Sequence, residues 1–308
     1  MTKDDLARER TLASIEELNL GDNLRELITL GYTVLPAVLS AERVEQAKSA
    51  ILRKVEAQTG KRVDPQSATA ADYNGMNYLP YLIFSDPVFP DIVLEPKPLA
   101  LITYLLGESC QLSSLGSHFR GPGGIPLPMH ADAPRVGMSE VQLVANCNYA
   151  LTPYSREAGA LVLTPGSHRQ QRHPTPQEGF MAGDKTFQDV MQEITDPAAI
   201  NALEWSEPPG SVTLDINPGD AVVFQGNTWH GGWRRDIAGT RINLAAYFCR
   251  SHITPQERRG DDRHPEVFER YADQPRFARL MGQGLFHGWR DEGPDYARAA
   301  NEPTGLYD

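Results

Sequence analysis

The sequence contains little cysteine, and its few cysteines form no recognisable pattern. Cys110, Cys147 and Cys249 are scattered along the chain and odd in number. This distribution argues against a disulfide framework and against a cysteine-based zinc site. It is typical of buried thiols in a reducing compartment.

Long apolar runs and an excess of positive charge are also missing. No stretch of about 18 apolar residues occurs, so we predict no membrane span. The charged N-terminus MTKDDLARERTL lacks the apolar core of a signal peptide. The formal net charge of −11 argues against nucleic acid and anionic membranes as partners. We therefore expect a cytoplasmic protein that acts on a small molecule, and the sequence leaves homo-oligomerisation open.

Internal repeats and low-complexity linkers are absent as well. At 308 residues and 40% hydrophobic composition, the chain can bury a full core, as one large β domain with helical additions or as two small domains. Short strand-like runs with turn signals fill the middle of the chain. They favour a mainly β fold with flanking helices: helices over 1–60, a jelly-roll core over 108–250 and a helical segment over 255–308.

The stretch IPLPMHADAP contains a pattern suited to metal binding. His130 and Asp132 are separated by one residue, and side chains at i and i+2 of an extended segment point the same way. His230 follows the apolar run DAVVF much later in the chain. Two histidines and one carboxylate on one face suit non-haem Fe(II). An isolated HxD tripeptide has low specificity, and Arg241, which begins the run RINLAAYF, could also be an ordinary surface cation.

Two runs around this stretch alternate as strands do. CQLSSLGSHFR places Ser114, Gly116, His118 and Arg120 on one face. VQLVANCNYA separates polar residues that include Asn146 and Asn148 from apolar ones. Buried polar side chains are costly unless they are hydrogen-bonded, so the polar face either meets solvent or serves a polar ligand.

Two further segments are candidates for contact with a substrate. We expect an apolar pocket lined by aromatic and other large side chains, namely Tyr73, Met76, Tyr78, Trp229 and Trp233. For each of these residues, ordinary core packing is the alternative. The long connection 169–210 is expected to be a mobile cover over the metal site. Its alternative is a rigid decoration packed on a sheet.

Several motifs, taken in order, resemble the phytanoyl-CoA dioxygenase family of Fe(II)/2-oxoglutarate-dependent oxygenases. They are LITLGYTVLPAVLSAERVEQAKSAI, MHAD, AGALVLTPGSHR, NPGDAVVFQGNTWHGG and then Arg241, and together they span roughly 22–250. The resemblance implies a double-stranded β-helix of the cupin-like jelly-roll type.

The resemblance also implies roles for individual residues. His130, Asp132 and His230 would bind Fe(II), and Arg241 would pair with the far carboxylate of 2-oxoglutarate, since the arginine fork binds a carboxylate through two hydrogen bonds. Asn148, and Arg120 or His118, would assist the cosubstrate. The sequence departs from the family at Gly232, where members often have a hydroxyl residue that contacts the same carboxylate.

The implied reaction consumes O2 and 2-oxoglutarate and releases succinate and CO2. Hydroxylation of an unactivated C–H bond in a small hydrophobic molecule, of lipid or secondary-metabolite type, is expected. Related halogenases replace the carboxylate ligand with a small residue, whereas this chain has Asp132. Desaturation, epoxidation and ring closure stay open. So do a cupin-like metal enzyme that does not use 2-oxoglutarate and a catalytically silent binding protein.

Overall fold

The computed structural model describes residues 3–73, 76–132, 141–258, 264–283, 289–290, 293–294 and 296. Two antiparallel sheets face each other at the centre of the fold. The predicted mainly β architecture with flanking helices and a jelly-roll core is confirmed.

The larger sheet has six strands in the order β1-β10-β5-β12-β3-β2. Their bounds are β1 Tyr32–Leu35, β2 Tyr78–Leu79, β3 Gln111–Arg120, β5 Val144–Ala150, β10 Ala221–Gln225 and β12 Arg241–Cys249. The alternation seen in the sequence is realised in β3 and β5. Ser114 and His118 of β3, and Asn146 and Asn148 of β5, line the space between the sheets.

The smaller sheet has four strands in the order β4-β11-β6-β9. Their bounds are β4 Leu127–His130, β6 Leu161–Leu163, β9 Val212–Thr213 and β11 His230–Gly232. Leu161 and Leu163 of this sheet pack with Val222 and Phe224 of the larger sheet, in a cluster that fills part of the space between the sheets. The rest of that space is a cavity.

Helices cover the outer face of the larger sheet. They are α1 Lys3–Glu17, α2 Gly21–Leu30, α3 Ala41–Thr59, α4 Val88–Val93 and α5 Pro96–Leu106, and a 3-10 helix spans Ala70–Tyr73. Ser40 caps α3, because its side chain accepts a hydrogen bond from the Arg43 main-chain nitrogen. Its stripe of Val44, Ile51 and Val55 is buried against the sheet. Each such side chain contributes ~1.5–3 kcal/mol by leaving water.

The connection 169–210 packs on the outer face of the smaller sheet. The 3-10 helix Ser167–Gln170 leads into it, and it contains the 3-10 helix Pro176–Glu178, the hairpin β7 Met181–Ala182 and β8 Lys185–Thr186, and helices α6 Phe187–Glu193 and α7 Pro197–Asn201. Phe180 and Val190 are fully buried in one cluster with Trp229 and Trp233. The side chains that line the cavity come from outside this connection. This packing fits the alternative, a decoration on the sheet, and a mobile cover over the metal site stays a prediction.

The C-terminal part is helical only in places. It contains α8 Pro265–Arg270 and α9 Pro275–Leu280, followed by the two-residue strands β13 Trp289–Arg290 and β14 Gly293–Pro294. The segment 255–308, predicted to be helical, thus has two short helices and two short strands among its described residues. Much of the segment lies outside the described residues. Within the described residues, every helix is too short or too polar to cross a membrane. The three cysteines are buried free thiols, as predicted.

Candidate active site

Three potential metal ligands meet on one wall of the cavity. His130 ends β4, His230 begins β11, and the two residues are direct partners in the antiparallel pair. Asp132 follows β4, where its main-chain nitrogen donates to the Gly226 carbonyl at 2.8 Å. One ligand atom from each of the three lies within 4.8 Å of the others. The structure thus brings together the residues that the sequence singled out.

Both histidines present the same nitrogen to the carboxylate. His130 Nδ1 donates to the Pro128 carbonyl at 2.8 Å, and His230 Nδ1 donates to the Thr228 carbonyl at 3.0 Å. The Nε2 atoms then face Asp132, at 3.5 Å from Oδ1 for His130 and 3.3 Å from Oδ2 for His230. Metal-binding histidines usually donate their second nitrogen to such a partner, which fixes the ring and its tautomer.

The charges at this point suit a cation. Burial acts to raise the pKa of Asp132, but the charge and hydrogen bonds of the imidazoles outweigh it, and the pKa lies below its ordinary value. Burial acts to lower the pKa of His130, but the hydrogen bond and charge of Asp132 outweigh it, and the pKa is raised. A proton on the His130 imidazole compensates the charge of the Asp132 carboxylate. A divalent cation would compensate the same charge and would displace this proton on binding. Two imidazoles and one carboxylate fit Fe(II) by donor type.

Arg241 is a buried cation in the same cavity, and none of the described residues forms an ion pair with it. Arg241 begins β12 and is 5% exposed. Its Nη1 donates to the Gly159 carbonyl, and its guanidinium carbon lies 5.4 Å from the Tyr154 ring centroid. Its Nε is buried and has no hydrogen-bond partner among the described residues. Because an unpaired buried charge is costly, this end of the cavity is suited to an anion.

A second guanidinium and an imidazole accompany Arg241. Arg120 is its direct partner across β3 and β12. Burial, and then the charge of Arg241, lower the pKa of Arg120 to about 10. Burial, and then the charges of Arg241 and Arg120, lower the pKa of His118 to about 3, so this imidazole is neutral near pH 7. His118 lines the cavity, whereas Arg120 is not among the described residues that line it.

The two asparagines on the inner face of β5 have different partners. Asn148 Oδ1 accepts a hydrogen bond at 2.8 Å from the hydroxyl of Tyr154, whose ring also faces Arg241. Asn146 Nδ2 donates to Asp132 Oδ2 at 3.0 Å. Asn148 therefore belongs to the arginine end of the cavity and Asn146 to the histidine end.

The cavity has a volume of about 350 Å³, and one side of it is a polar wall formed by Tyr78, Ser114 and Gln256. The Tyr78 ring occupies the room left by Gly116, since a Cβ there would lie 2.3 Å from the Tyr78 hydroxyl oxygen. Ser114 Oγ donates to Gln256 Oε1 at 2.8 Å. Burial raises the pKa of Tyr78, so its hydroxyl stays protonated near pH 7.

Four of the five residues predicted to line an apolar pocket lie elsewhere, and Tyr78 is the exception. The Tyr73 hydroxyl hydrogen-bonds Thr240 at 2.7 Å within the core beneath the helices, and Met76 packs against the same core. Trp229 and Trp233 pack under the connection 169–210. Strand alternation explains both tryptophans, because residues at odd offsets from His230 point to the outer face.

Some lining residues were not singled out from the sequence. They are Tyr154, Asn243, Tyr247 and Gln256. For Asn243 and Tyr247 a signal exists, because both lie at even offsets from Arg241 on β12 and therefore share its face. Gln256 follows the last core strand in an irregular segment, where no periodicity marks it.

Comparison with known proteins agrees with this geometry. The family model described as phytanoyl-CoA dioxygenase (PhyH) matches residues 29–236. A protein named dioxygenase af480, from Aspergillus fumigatus, is 26% identical over 268 residues, which cover 82% of this chain and 72% of that protein. An uncharacterised protein of Mycobacterium tuberculosis, Rv1501, is 22% identical and covers 74% of each chain.

Solved structures show the same fold at low sequence identity. HygX from Streptomyces hygroscopicus, with nickel and 2-oxoglutarate bound, superposes with a TM-score of 0.56 at 16% identity, over 76% of this chain and 88% of HygX. EctD from S. alaskensis, with 2-oxoglutarate and 5-hydroxyectoine, gives a TM-score of 0.54 at 18% identity, over 75% of this chain and 76% of EctD.

Proposed function

This chain belongs to the phytanoyl-CoA dioxygenase family of Fe(II)- and 2-oxoglutarate-dependent enzymes, and on that premise we propose that it hydroxylates a C–H bond of a small organic molecule. One observation carries the proposal. A His-Asp-His group and a buried arginine that forms no ion pair with any described residue line the same cavity.

His130, Asp132 and His230 would hold the iron. When it is bound with 2-oxoglutarate and O2, the iron supplies the oxidation of the C–H bond, and succinate and CO2 are released. The Pro128 and Thr228 carbonyls accept hydrogen bonds from the two Nδ1 atoms, so each Nε2 is the nitrogen that can bind the metal, and the lowered pKa of Asp132 keeps its carboxylate ionised, as metal binding requires. The three residues also leave other coordination positions open for the cosubstrate.

Arg241 would receive the far carboxylate of 2-oxoglutarate. Its fork is always charged and can donate two parallel hydrogen bonds. Asn148 is joined to Arg241 through Tyr154 and would offer its amide to the same ligand. Arg120, which is the strand partner of Arg241 but does not line the cavity, would add positive charge near the carboxylate. The neutral His118, which lines the cavity, would add a hydrogen bond to the ligand. A metal enzyme that did not use 2-oxoglutarate would have no evident need for a buried guanidinium at this place.

Tyr78, Ser114 and Gln256 bear on the nature of the substrate. They bring hydroxyl and amide groups to a cavity that apolar side chains, such as those of Leu127, Leu161 and Phe224, also line. A hydroxyl or carbonyl group on the substrate could hydrogen-bond with these polar groups, which an apolar group could not. The substrate is therefore proposed to be neutral and to carry a hydroxyl or carbonyl group. The cavity of about 350 Å³ must also hold 2-oxoglutarate. We therefore expect only a compact part of the substrate to enter the cavity.

The proposal is tested with iron-loaded protein and a panel of small molecules in matched pairs, with and without one hydroxyl or carbonyl group. Succinate is measured together with the mass of the product. A gain of one oxygen atom indicates hydroxylation, whereas a loss of two hydrogens indicates desaturation or ring closure. Succinate release stimulated by the deoxygenated members alone would contradict the proposed substrate class.

A serine at position 232 should strengthen cosubstrate binding. A Cβ on Gly232 would lie 3.4 Å from the Ala160 carbonyl oxygen and 3.7 Å from Arg241 Nη1, so there is room for it. The added hydroxyl would lie beside the carboxylate site. One net hydrogen bond is worth ~0.5–1.5 kcal/mol, which corresponds to a KM for 2-oxoglutarate lower by about 2- to 13-fold.

Gly231→Ser is the matched control for this prediction. A Cβ on Gly231 would lie 2.7 Å from the Leu127 carbonyl oxygen and would disturb the β4–β11 pair. Gly231→Ser should lower the melting temperature of the protein without lowering the KM for 2-oxoglutarate. An unchanged KM in folded Gly232→Ser would show that the carboxylate does not bind beside this residue.

A further inference from the structure

Asp132 is held at two points by residues that face each other across neighbouring strands. Asn146 of β5 and Tyr247 of β12 are direct partners in the antiparallel register. Asn146 Nδ2 donates to Asp132 Oδ2 at 3.0 Å, and the Tyr247 hydroxyl donates to the Asp132 main-chain oxygen at 2.7 Å. One residue contacts the carboxylate and the other contacts the backbone that carries it.

Asp132 needs such support because it lies beyond the end of a strand. β4 ends at His130, so the ladder to β11 no longer fixes the chain two residues later. The main-chain bond to Gly226 is a third attachment, but it leaves the side chain free to turn. Asn146 is 7% exposed and cannot readily exchange this partner for bulk water.

We propose that the Asn146–Tyr247 pair positions Asp132 for iron binding, a role that rests on the proposed function. The amide of Asn146 occupies one lone pair of Oδ2 and restricts rotation of the carboxylate. This favours binding of the cation through one oxygen and disfavours binding through both. The pair thus keeps coordination positions open for 2-oxoglutarate and O2. Both residues act through Asp132 and are positioning residues.

The test compares Asn146→Ala and Tyr247→Phe with the wild-type protein. Fe(II) affinity is measured by anaerobic competition with a coloured chelator. The visible absorption band that 2-oxoglutarate produces on the Fe(II)-loaded protein is recorded for each variant. Losing an outer-shell partner of a metal ligand typically weakens metal binding by about 10- to 100-fold, and this is expected for Asn146→Ala. Tyr247→Phe should weaken binding less, and both variants should shift the band.

Tyr149→Phe is the matched control. Tyr149 lies on the same strand as Asn146, is fully buried, and donates its hydroxyl to a main-chain carbonyl, that of Ile92, at 3.1 Å. It points away from the cavity into the core beneath the helices. Its removal should lower the melting temperature of the metal-free protein without changing iron affinity or the band.

The outcomes separate this inference from the proposed function. Unchanged iron affinity and an unchanged band in both variants, with a wild-type protein that binds Fe(II) and 2-oxoglutarate, would overturn the positioning role alone. An equal loss of affinity in Tyr149→Phe would also overturn it, because the effect would then be general destabilisation. A wild-type protein that bound no Fe(II) would overturn both proposals. Should Asn146→Ala not fold, Tyr247→Phe, which removes a single oxygen atom, decides the question.

Discussion

Replacing His230 with alanine is expected to abolish turnover and to strip the purified protein of iron. The same result is expected for His130→Ala and Asp132→Ala, because each of the three residues would supply one metal ligand. Loss of a direct ligand should weaken iron binding by more than ~100-fold, the upper range for loss of an outer-shell partner. Iron content and succinate formation are measured on each variant, with circular dichroism to show that the fold is kept.

His168→Ala is the control for the histidine variants. His168 is also buried, but its Nε2 hydrogen-bonds the Ile28 carbonyl at the end of α2, at 3.2 Å, away from the cavity. This variant should lose stability and keep its iron. If His130→Ala, Asp132→Ala or His230→Ala retained full iron and activity, the assignment of that residue as a ligand would be wrong.

Arg241→Met is expected to raise the KM for 2-oxoglutarate strongly while iron binding stays nearly unchanged. Losing one partner of a buried charge-assisted pair typically costs ~2–5 kcal/mol, on the order of 30- to 4000-fold in binding. The ligand-free protein should be no less stable, because Arg241 is a buried cation that pairs with no carboxylate in the described part of the chain. Steady-state kinetics and thermal melting together distinguish this from a structural role.

Arg250→Met is the matched control, since Arg250 follows the last residue of β12 whereas Arg241 is its first. Arg250 is 8% exposed and donates to the main-chain carbonyls of Gln142 and Leu105. Its loss should destabilise the protein without changing the KM for 2-oxoglutarate. An unchanged KM in Arg241→Met would move the carboxylate site elsewhere, with Arg120 the next candidate.

Strand periodicity carried most of the correct sequence-based predictions. It placed His130 and Asp132 side by side and put Ser114, His118 and Asn146 on inner faces, where the structure has them. Periodicity succeeds here because each of these strands has one face on the cavity and the other on a core.

Strand periodicity also predicts on which side of the sheet the two tryptophans lie. Trp229 and Trp233 were grouped with His230 because they are close in sequence. At odd offsets they belong to the opposite face, where they pack with Phe180. Closeness in sequence to a metal ligand therefore indicates little about which side of the sheet a residue occupies.

Other features depend on contacts that no local pattern encodes. Tyr73 is in the core because its hydroxyl meets Thr240, far along the chain. Gln256 enters the cavity because its main-chain nitrogen donates to Ser113 Oγ at 2.9 Å. The position of the connection 169–210 depends on which sheet offers an apolar outer face. Its length and composition suit a cover and a decoration equally, so they do not distinguish between the two.

The most direct test of the iron and cosubstrate assignment requires no knowledge of the substrate. Fe(II)-loaded protein is titrated anaerobically with 2-oxoglutarate, and the visible absorption is followed. We expect a charge-transfer band that saturates at one 2-oxoglutarate per iron. The band should be absent in His230→Ala and should need far more 2-oxoglutarate in Arg241→Met. Full iron occupancy with no band and no bound 2-oxoglutarate in the wild-type protein would contradict this assignment.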